Sequence, residues 1–209
     1  MSFLSEKTTL GGARVELPGP RTESAVTIEQ GLHRRRSVRE FREAPLRLEE
    51  LSQLLWAAQG ITHRQGFRTA PSAGALFPLE VYVVAGKVHG LPPGVLRYVP
   101  SLHVLERLAD GDRRLVLARA ALDQAVVAHA PATLALCAFY ERVTDRYGQR
   151  GVRYVHMEAG HAAQNVYLQA VSLQVGTVVL GAFEDDRVRD VLALAPREQP
   201  FYLMPVGRV

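Results

Sequence analysis

The sequence predicts one α/β domain of α+β character: a three-layer α-β-α arrangement in which helices cover both faces of a mixed central sheet. Three observations lead there. Segments with helical and strand periodicity alternate along the 209 residues without an internal repeat, and no Pro/Gly/Ser-rich linker separates two cores. Ala132 to Phe139 is almost wholly apolar, as a central strand covered on both faces must be. Finally, 47% of the chain is hydrophobic, enough at this length to bury one full core.

Residues 1–26, rich in Gly11, Gly12, Pro18, Gly19 and Pro20, show no sustained period and read as an N-terminal arm; residues 27–209 form the domain. Thr27 caps a short helix running through Arg35. From Leu48 the apolar residues Leu51, Leu54, Leu55 and Ala58 recur at helical spacing until Gly60 stops the pattern. A loop from Gly66 to Phe77 precedes a strand, Leu79 to Ala85, with Val81 and Val83 on one face. Val95 to Val99 and His103 to Leu108 flank Pro100-Ser101 as a hairpin. Asp112 to Ala128 is helical in composition, with Leu115, Ala118 and Leu122 on one stripe, and Pro131 ends it. Tyr154 to Gln174 is the longest helical segment. Its small residues Ala159, Ala162, Ala163, Val166, Ala170 and Val171 suit close contact with a partner helix. Gly176 to Val179 leads into a tight turn, Leu180-Gly181-Ala182-Phe183. A last helix runs from Asp185 through Leu194, and Phe201 to Val206 closes the chain as a strand.

Composition excludes several classes of function. A net charge of only +4, without a zinc-finger or zipper pattern, argues against nucleic acid as a partner. The single cysteine, Cys137, cannot form an internal disulfide and reads as a core residue. The N-terminus lacks a charged segment followed by an apolar run, and the longest apolar stretch, Ala125 to Tyr140, is interrupted by His129 and Pro131. The reading is a cytoplasmic protein with no membrane partner. Phosphate-binding and dinucleotide-binding glycine loops are absent, as is a G-x-S-x-G elbow. His156 and His161 are five positions apart on a helix and fall on different faces, so no metal site is expected.

What remains is Arg34-Arg35-Arg36-Ser37-Val38-Arg39-Glu40-Phe41, where four guanidinium groups and a hydroxyl crowd six positions. Guanidinium groups bind phosphate oxygens in pairs, so this stretch can clamp a phosphomonoester. It can equally complement the negative pole of the preceding helix and otherwise sit in water. Thr69 to Ala75 joins Pro71, Ser72, Ala73, Gly74 and Ala75, whose small side chains let a backbone approach a flat ring; Leu180-Gly181-Ala182 offers the same at another edge. Each of these also reads as an ordinary turn. A phosphate clamp with no evident nucleophile, base or metal suits chemistry carried by a bound cofactor.

Together, Arg35 to Phe41, Pro71 to Glu80, Gly160-His161-Ala162-Ala163-Gln164-Asn165, and Gly181-Ala182-Phe183 before Pro205-Val206-Gly207 resemble the FMN-dependent nitroreductase family. The Pro-Ser-Ala-Gly segment and the Gly-His-Ala-Ala-Gln-Asn helix are most similar to the branch containing peptide thiazoline and oxazoline dehydrogenases. The resemblance implies a homodimer with two FMN molecules at the subunit interface and the long helix as the dimer core. Arg35, Arg36, Ser37 and Arg39 would hold the phosphate, ribityl chain and pyrimidine edge. Pro71, Ser72, Ala73, Gly74 and Ala75 would come from the other subunit. Leu180, Gly181 and Ala182 would face the flavin N5, with Gln124 at the pyrimidine edge and Arg208 standing in for a C-terminal basic arm.

The implied activity is hydride transfer from NAD(P)H to nitroaromatic or quinone-like acceptors, with Arg36 as the cation stabilising the reduced ring. No residue is assigned to acid-base catalysis. Azoline oxidation in modified peptides is the alternative. Its usual Lys-Tyr pair is missing, since Phe183, Glu184, Asp185 and Asp186 follow Gly181. A non-catalytic flavin-binding module is the third reading.

Overall fold

In the computed structural model, residues 13–209 are described; Gly11 and Gly12 of the expected arm lie outside the described residues. The chain joins the sheet earlier than its periodicity suggests. Arg14–Glu16 (β1) pairs antiparallel with Val104–Asp110 (β4), setting Val15 opposite Leu105, and Leu17 is buried directly after it. Three residues are too few to carry a period, which is why sequence reading assigned no strand there.

Ile28–Arg34 (α1) starts as expected: the Thr27 hydroxyl accepts the Gln30 N–H at 3.2 Å and the Gln30 side chain accepts from the Thr27 N–H at 3.4 Å, a capping box. Leu48–Gln59 (α2) buries Leu51, Leu54, Leu55 and Ala58 and ends at Gly60. Beyond it come Leu79–Ala85 (β2) and the hairpin of Gly94–Val99 (β3) with β4. Ala132–Phe139 (β5), Val175–Thr177 (β6) and Glu198–Arg208 (β7) complete a seven-stranded sheet in the order β1-β4-β3-β2-β5-β7-β6.

Every ladder between these strands is antiparallel. The parallel part of the expected mixed sheet is confined to isolated bridges, Ser37 with Thr177 and Leu46 with Val88. Alternation along the strands makes the two covered faces. Val81, Val83, Leu134, Leu136, Met204 and Val206 belong to one core with α2 and the long helix described below. Tyr82, Val84, Ala135, Cys137 and Leu203 belong to the other. Cys137 is fully buried, and burial pushes its thiol well up from the ordinary range.

Two expectations are corrected. Asp112 to Ala128 is not one helix but two, Arg114–Ala120 (α3) and Ala125–His129 (α4), broken where Leu122 and Asp123 take left-handed φ values of 58° and 57°. Leu117, Ala118 and Ala121 are buried, whereas Leu115 and Leu122 of the expected stripe are 66% and 57% exposed. The long helix, Arg150–Leu173 (α6), begins ahead of Tyr154, after a short helix Glu141–Tyr147 (α5) and a turn at Gly148.

The alanine-rich face of α6 is also differently employed. Ala159, Ala162, Ala163 and Ala170 are buried within this chain, where α6 packs against α2, so that face is not a dimer contact. Periodicity marks a face as apolar without saying what covers it. The outer stripe of α6 carries Met157, Gly160, His161 and Gln164. Beside it packs α1, whose Ile28 and Leu32 are 72% and 55% exposed. A final helix, Asp185–Leu192 (α7), lies against β7 on the opposite side of the sheet.

Candidate functional site

The arginine segment is held as an extra strip on the sheet edge. Val38 N–H donates to the Thr177 carbonyl at 2.9 Å, and Arg42 N–H to the Arg208 carbonyl at 2.9 Å. Two glycines let it lie flat. A Cβ on Gly176 would stand 2.7 Å from Val38 Cγ1, and one on Gly207 would stand 2.5 Å from Phe41 Cγ. Tyr167 of α6 ties the segment to the next part of the site. Its hydroxyl is 3.0 Å from Ser37 Oγ and accepts the Val179 N–H at 2.9 Å, while Arg35 stacks over its ring at 5.2 Å. Sequence reasoning missed Tyr167; the available signal was a lone tyrosine within the small-residue helix.

The four arginines separate by role. Arg36 folds back, donating from Nη1 to the carbonyls of His33 at 2.9 Å and Arg35 at 2.7 Å, so it complements the C-terminal end of α1. Among the described residues neither Arg35 nor Arg39 forms an ion pair with a carboxylate. Arg39 lines a cleft of about 690 Å³ together with Gln124, Phe41 and Lys87. Arg208 points elsewhere: its Nη2 meets Glu50 Oε1 at 2.7 Å, and buried Glu50 also holds Arg47 at 2.8 Å. That guanidinium pins β7 to α2, and among the described residues Arg34, Arg35 and Arg39 are the members of the arginine strip without a carboxylate or carbonyl partner.

Leu180 and Leu203 exchange backbone hydrogen bonds of 2.8 and 2.9 Å, which fixes the start of the following turn. Gln124 Nε2 donates to the Ala182 carbonyl at 2.9 Å. Gly181 and Ala182 are exposed, and a Cβ on Gly181 would meet nothing nearer than the Tyr202 ring at 3.9 Å. The turn therefore presents open backbone. Arg35, Ser37, Arg39, Gln124 and Leu180 to Ala182 are thus brought to one region.

Pro71 to Ala75 is not part of that region. Its Ala73–Ala75 part is a single 3-10 turn; Gly74 and Ala75 within it and Phe77 just beyond it adopt φ of 64°, 53° and 46°, braced by Ser72 Oγ accepting the Phe77 N–H at 2.9 Å. Its neighbour on α6 is Glu158. Nine positions separate Glu158 from Tyr167 on that helix, which is about half a turn in angle and about 14 Å in rise. Loop and arginine segment consequently sit on opposite sides of α6. Glu158 is 2% exposed, and burial raises its carboxyl to about 7, against the opposing pull of a hydrogen bond from Ser72 and the charge of Arg68.

Among the described residues no group of three or more His, Cys, Asp or Glu side chains is placed to hold a metal. His156 instead hydrogen-bonds to Tyr140 at 2.5 Å, and His161 is exposed. The donors fit a phosphorylated ring cofactor: unpaired guanidiniums and a hydroxyl at one end, open backbone and an amide at the other.

Residues 32–208 match the Nitroreductase family. The chain belongs to the nitroreductase family. A protein of Methanocaldococcus jannaschii named as a nitroreductase is 50% identical over 197 residues, 94% of this chain and 98% of that protein. The crystal structure of a Ralstonia eutropha protein named as a nitroreductase superposes with a TM-score of 0.81 at 32% identity, covering 94% of this chain and 89% of the other. Trifolitoxin operon protein TfxC of Rhizobium leguminosarum bv. trifolii is 26% identical over 221 residues, 98% of this chain and 62% of that protein. Nitroreductases are oxidoreductases and generally flavin-dependent, and both the fold and the family of this chain are theirs.

Proposed function

We propose that this nitroreductase is an FMN-dependent enzyme that transfers hydride from NAD(P)H to nitroaromatic or quinone-like acceptors, acting as a cytoplasmic homodimer with a site at each subunit interface. One observation supports the reading: two segments suited to a flavin, the arginine strip beside Tyr167 and the Pro71 to Ala75 loop beside Tyr147 and Asn165, lie apart in one chain, so that a second copy would supply the missing half. The outer stripe of α6 with Ile28 and Leu32 of α1 is the surface offered to that copy. Residues 27–209 form the catalytic unit, to whose sheet β1 of the preceding segment is joined. No helix among the described residues is long and apolar enough to cross a membrane.

Arg35 and Ser37 bind the phosphate, and Tyr167 keeps both in place. Arg39 and Gln124 meet the pyrimidine edge; the stabilising charge expected from Arg36 falls to Arg39, because Arg36 is spent on the end of α1. Leu180, Gly181 and Ala182 present backbone to the ring, and Pro71, Ser72, Ala73, Gly74 and Ala75 of the second copy cover it. Arg208 acts indirectly, by fixing β7 through Glu50. Bound FMN supplies the carrier that accepts a hydride from one ligand and delivers it to the next.

A second reading, azoline oxidation in a modified peptide with the substrate as hydride donor, rests on the resemblance of the Pro71 to Gly74 segment and the Gly160 to Asn165 stretch to the azoline-oxidising branch, and similarity to a protein of a trifolitoxin operon is compatible with it. Anaerobic addition of NADH or NADPH to the flavin-loaded protein separates the readings. Bleaching of the flavin absorbance supports the first. A flavin that stays oxidised with both donors but bleaches with an azoline peptide supports the second, and one that no donor bleaches leaves a flavin-binding module.

A further inference from the structure

We infer that the cleft of about 690 Å³ between the end of the arginine strip and α4 holds the sugar-phosphate body of a nicotinamide dinucleotide, with Arg42 and Lys87 contacting its diphosphate. This rests on the reading of NAD(P)H as the hydride donor and adds where the donor's charged part is held. The cleft opens at the region assigned to the flavin: Arg39 lines it, and so does Gln124, whose amide reaches the Ala182 carbonyl at 2.9 Å. From there it extends to Lys87, just past β2, and to Pro131, just before β5. A hydride donor has to lay its nicotinamide on the flavin ring, so the remainder of the molecule must leave across an edge of that ring. This cleft begins at such an edge, and its volume is that of a small-molecule site.

Backbone hydrogen bonds fix its walls without a ligand. The N–H groups of Gly86 and Lys87 both donate to the Pro131 carbonyl, at 3.0 and 2.9 Å. Arg114 donates from Nη1 to the Ala130 carbonyl at 3.1 Å and pairs with Asp112 at 2.6 Å, so its charge is already answered and it serves as wall. A Cβ on Gly86 would collide with that guanidinium. Two other cations are open to a ligand. Arg42 is anchored through its backbone to the Arg208 carbonyl, and among the described residues its side chain has no carboxylate partner. Lys87 meets Glu43 only at 3.9 Å, and because Glu43 is 96% exposed that pair contributes little. Glu40 and Glu43 line the cleft as well, which disfavours a bare anion. A sugar phosphate suits the mixture: its ribose hydroxyls donate to carboxylates while its phosphate oxygens accept from the guanidinium and the ammonium. Val126, Ala128 and Pro131 add apolar surface for a base.

The test takes the full-length, FMN-loaded protein and separates binding from hydride transfer. ADP-ribose carries the diphosphate, the ribose and the adenine but no hydride, and calorimetry should find it bound to wild type with an affinity that falls as salt is raised. Inorganic phosphate at the same concentration should not bind. Arg42→Gln combined with Lys87→Gln should weaken ADP-ribose by about tenfold or more, the loss expected for charge-assisted contacts at a partly exposed site. The same pair of substitutions should raise KM for NADH and NADPH by a similar factor. Flavin reduction by N-benzyl dihydronicotinamide, which has the reacting ring and no phosphate, should stay within about twofold. ADP-ribose that fails to bind wild type, or binds the double variant equally well, overturns the inference. So does inorganic phosphate binding as tightly as ADP-ribose, which would make the cleft a site for a free anion, and so does a double variant that slows the benzyl donor as much as the dinucleotides. A flavin that neither dinucleotide nor the benzyl compound bleaches would instead remove the hydride-donor reading, and the inference with it.

Discussion

Tyr167→Phe isolates the hydroxyl that joins the arginine strip to the flavin-facing turn. The substitution keeps the ring under Arg35 and deletes only the oxygen 3.0 Å from Ser37 Oγ and 2.9 Å from the Val179 nitrogen. Ser37 is exposed and can turn to water, whereas the Val179 N–H is half-buried and loses its acceptor. An orphaned buried donor costs about 1–3 kcal/mol, and partial exposure places this one near about 1–2 kcal/mol. Both Ser37 and the turn leading to Gly181 lose their common anchor, so the dissociation constant for FMN should rise by about 5- to 30-fold. The same loss should lower Tm by about 2–8 °C in a domain of this size. Fluorescence titration with FMN and a thermal melt of the apoprotein measure the two effects separately. An unchanged FMN affinity beside a lowered Tm would refute the role given to Tyr167, reducing it to a packing residue.

Arg39→Ala should weaken FMN binding by about tenfold or more, as expected for loss of a charge-assisted contact, while Arg36→Ala should leave affinity within about twofold; the same titration ranks them. Gly207→Ala forces a Cβ against Phe41, so it should destabilise the fold by about 1–3 kcal/mol in urea melts and lift the arginine strip from β7. Glu158 makes folding pH-dependent: with its carboxyl raised from 4.5 to about 7, its stabilising share is complete below about pH 4.5 and is lost as pH rises through about 7. That share is about 3 kcal/mol, and Glu158→Gln should remove the slope when urea melts at acidic and mildly alkaline pH are compared. Charging the outer surface with Ile28→Lys and Met157→Glu should shift sedimentation from two chains to one and abolish FMN binding at the same time.

Much of the fold was legible because local chemistry and tertiary role agree. Thr27 with Gln30 marks the start of α1, Gly60 the end of α2, and the unbroken apolar run at Ala132 to Phe139 the middle of the sheet. The break between α3 and α4 was not legible, since neither Leu122 nor Asp123 is a residue that announces a left-handed turn. At the site, charge pattern located the arginine strip but could not say that Arg36 and Arg208 would be consumed by α1 and Glu50, because both partners are set by packing. Tyr167 and Glu158 escaped for a related reason. Each is one polar residue on a long helix, and what it reaches depends on segments 130 and 86 positions away.

Complementation between two defective chains is the sharpest test of a site shared across subunits. Arg35→Glu with Arg39→Glu disables the arginine strip; Gly74→Val disables the loop, where a Cβ would stand 2.7 Å from the Tyr147 hydroxyl. Neither protein alone should retain FMN. Refolded together, they should form mixed dimers in which one interface combines an intact strip with an intact loop, and bound FMN should reappear. A mixture that never exceeds the separate proteins, although sedimentation finds mixed dimers, would contradict the shared site.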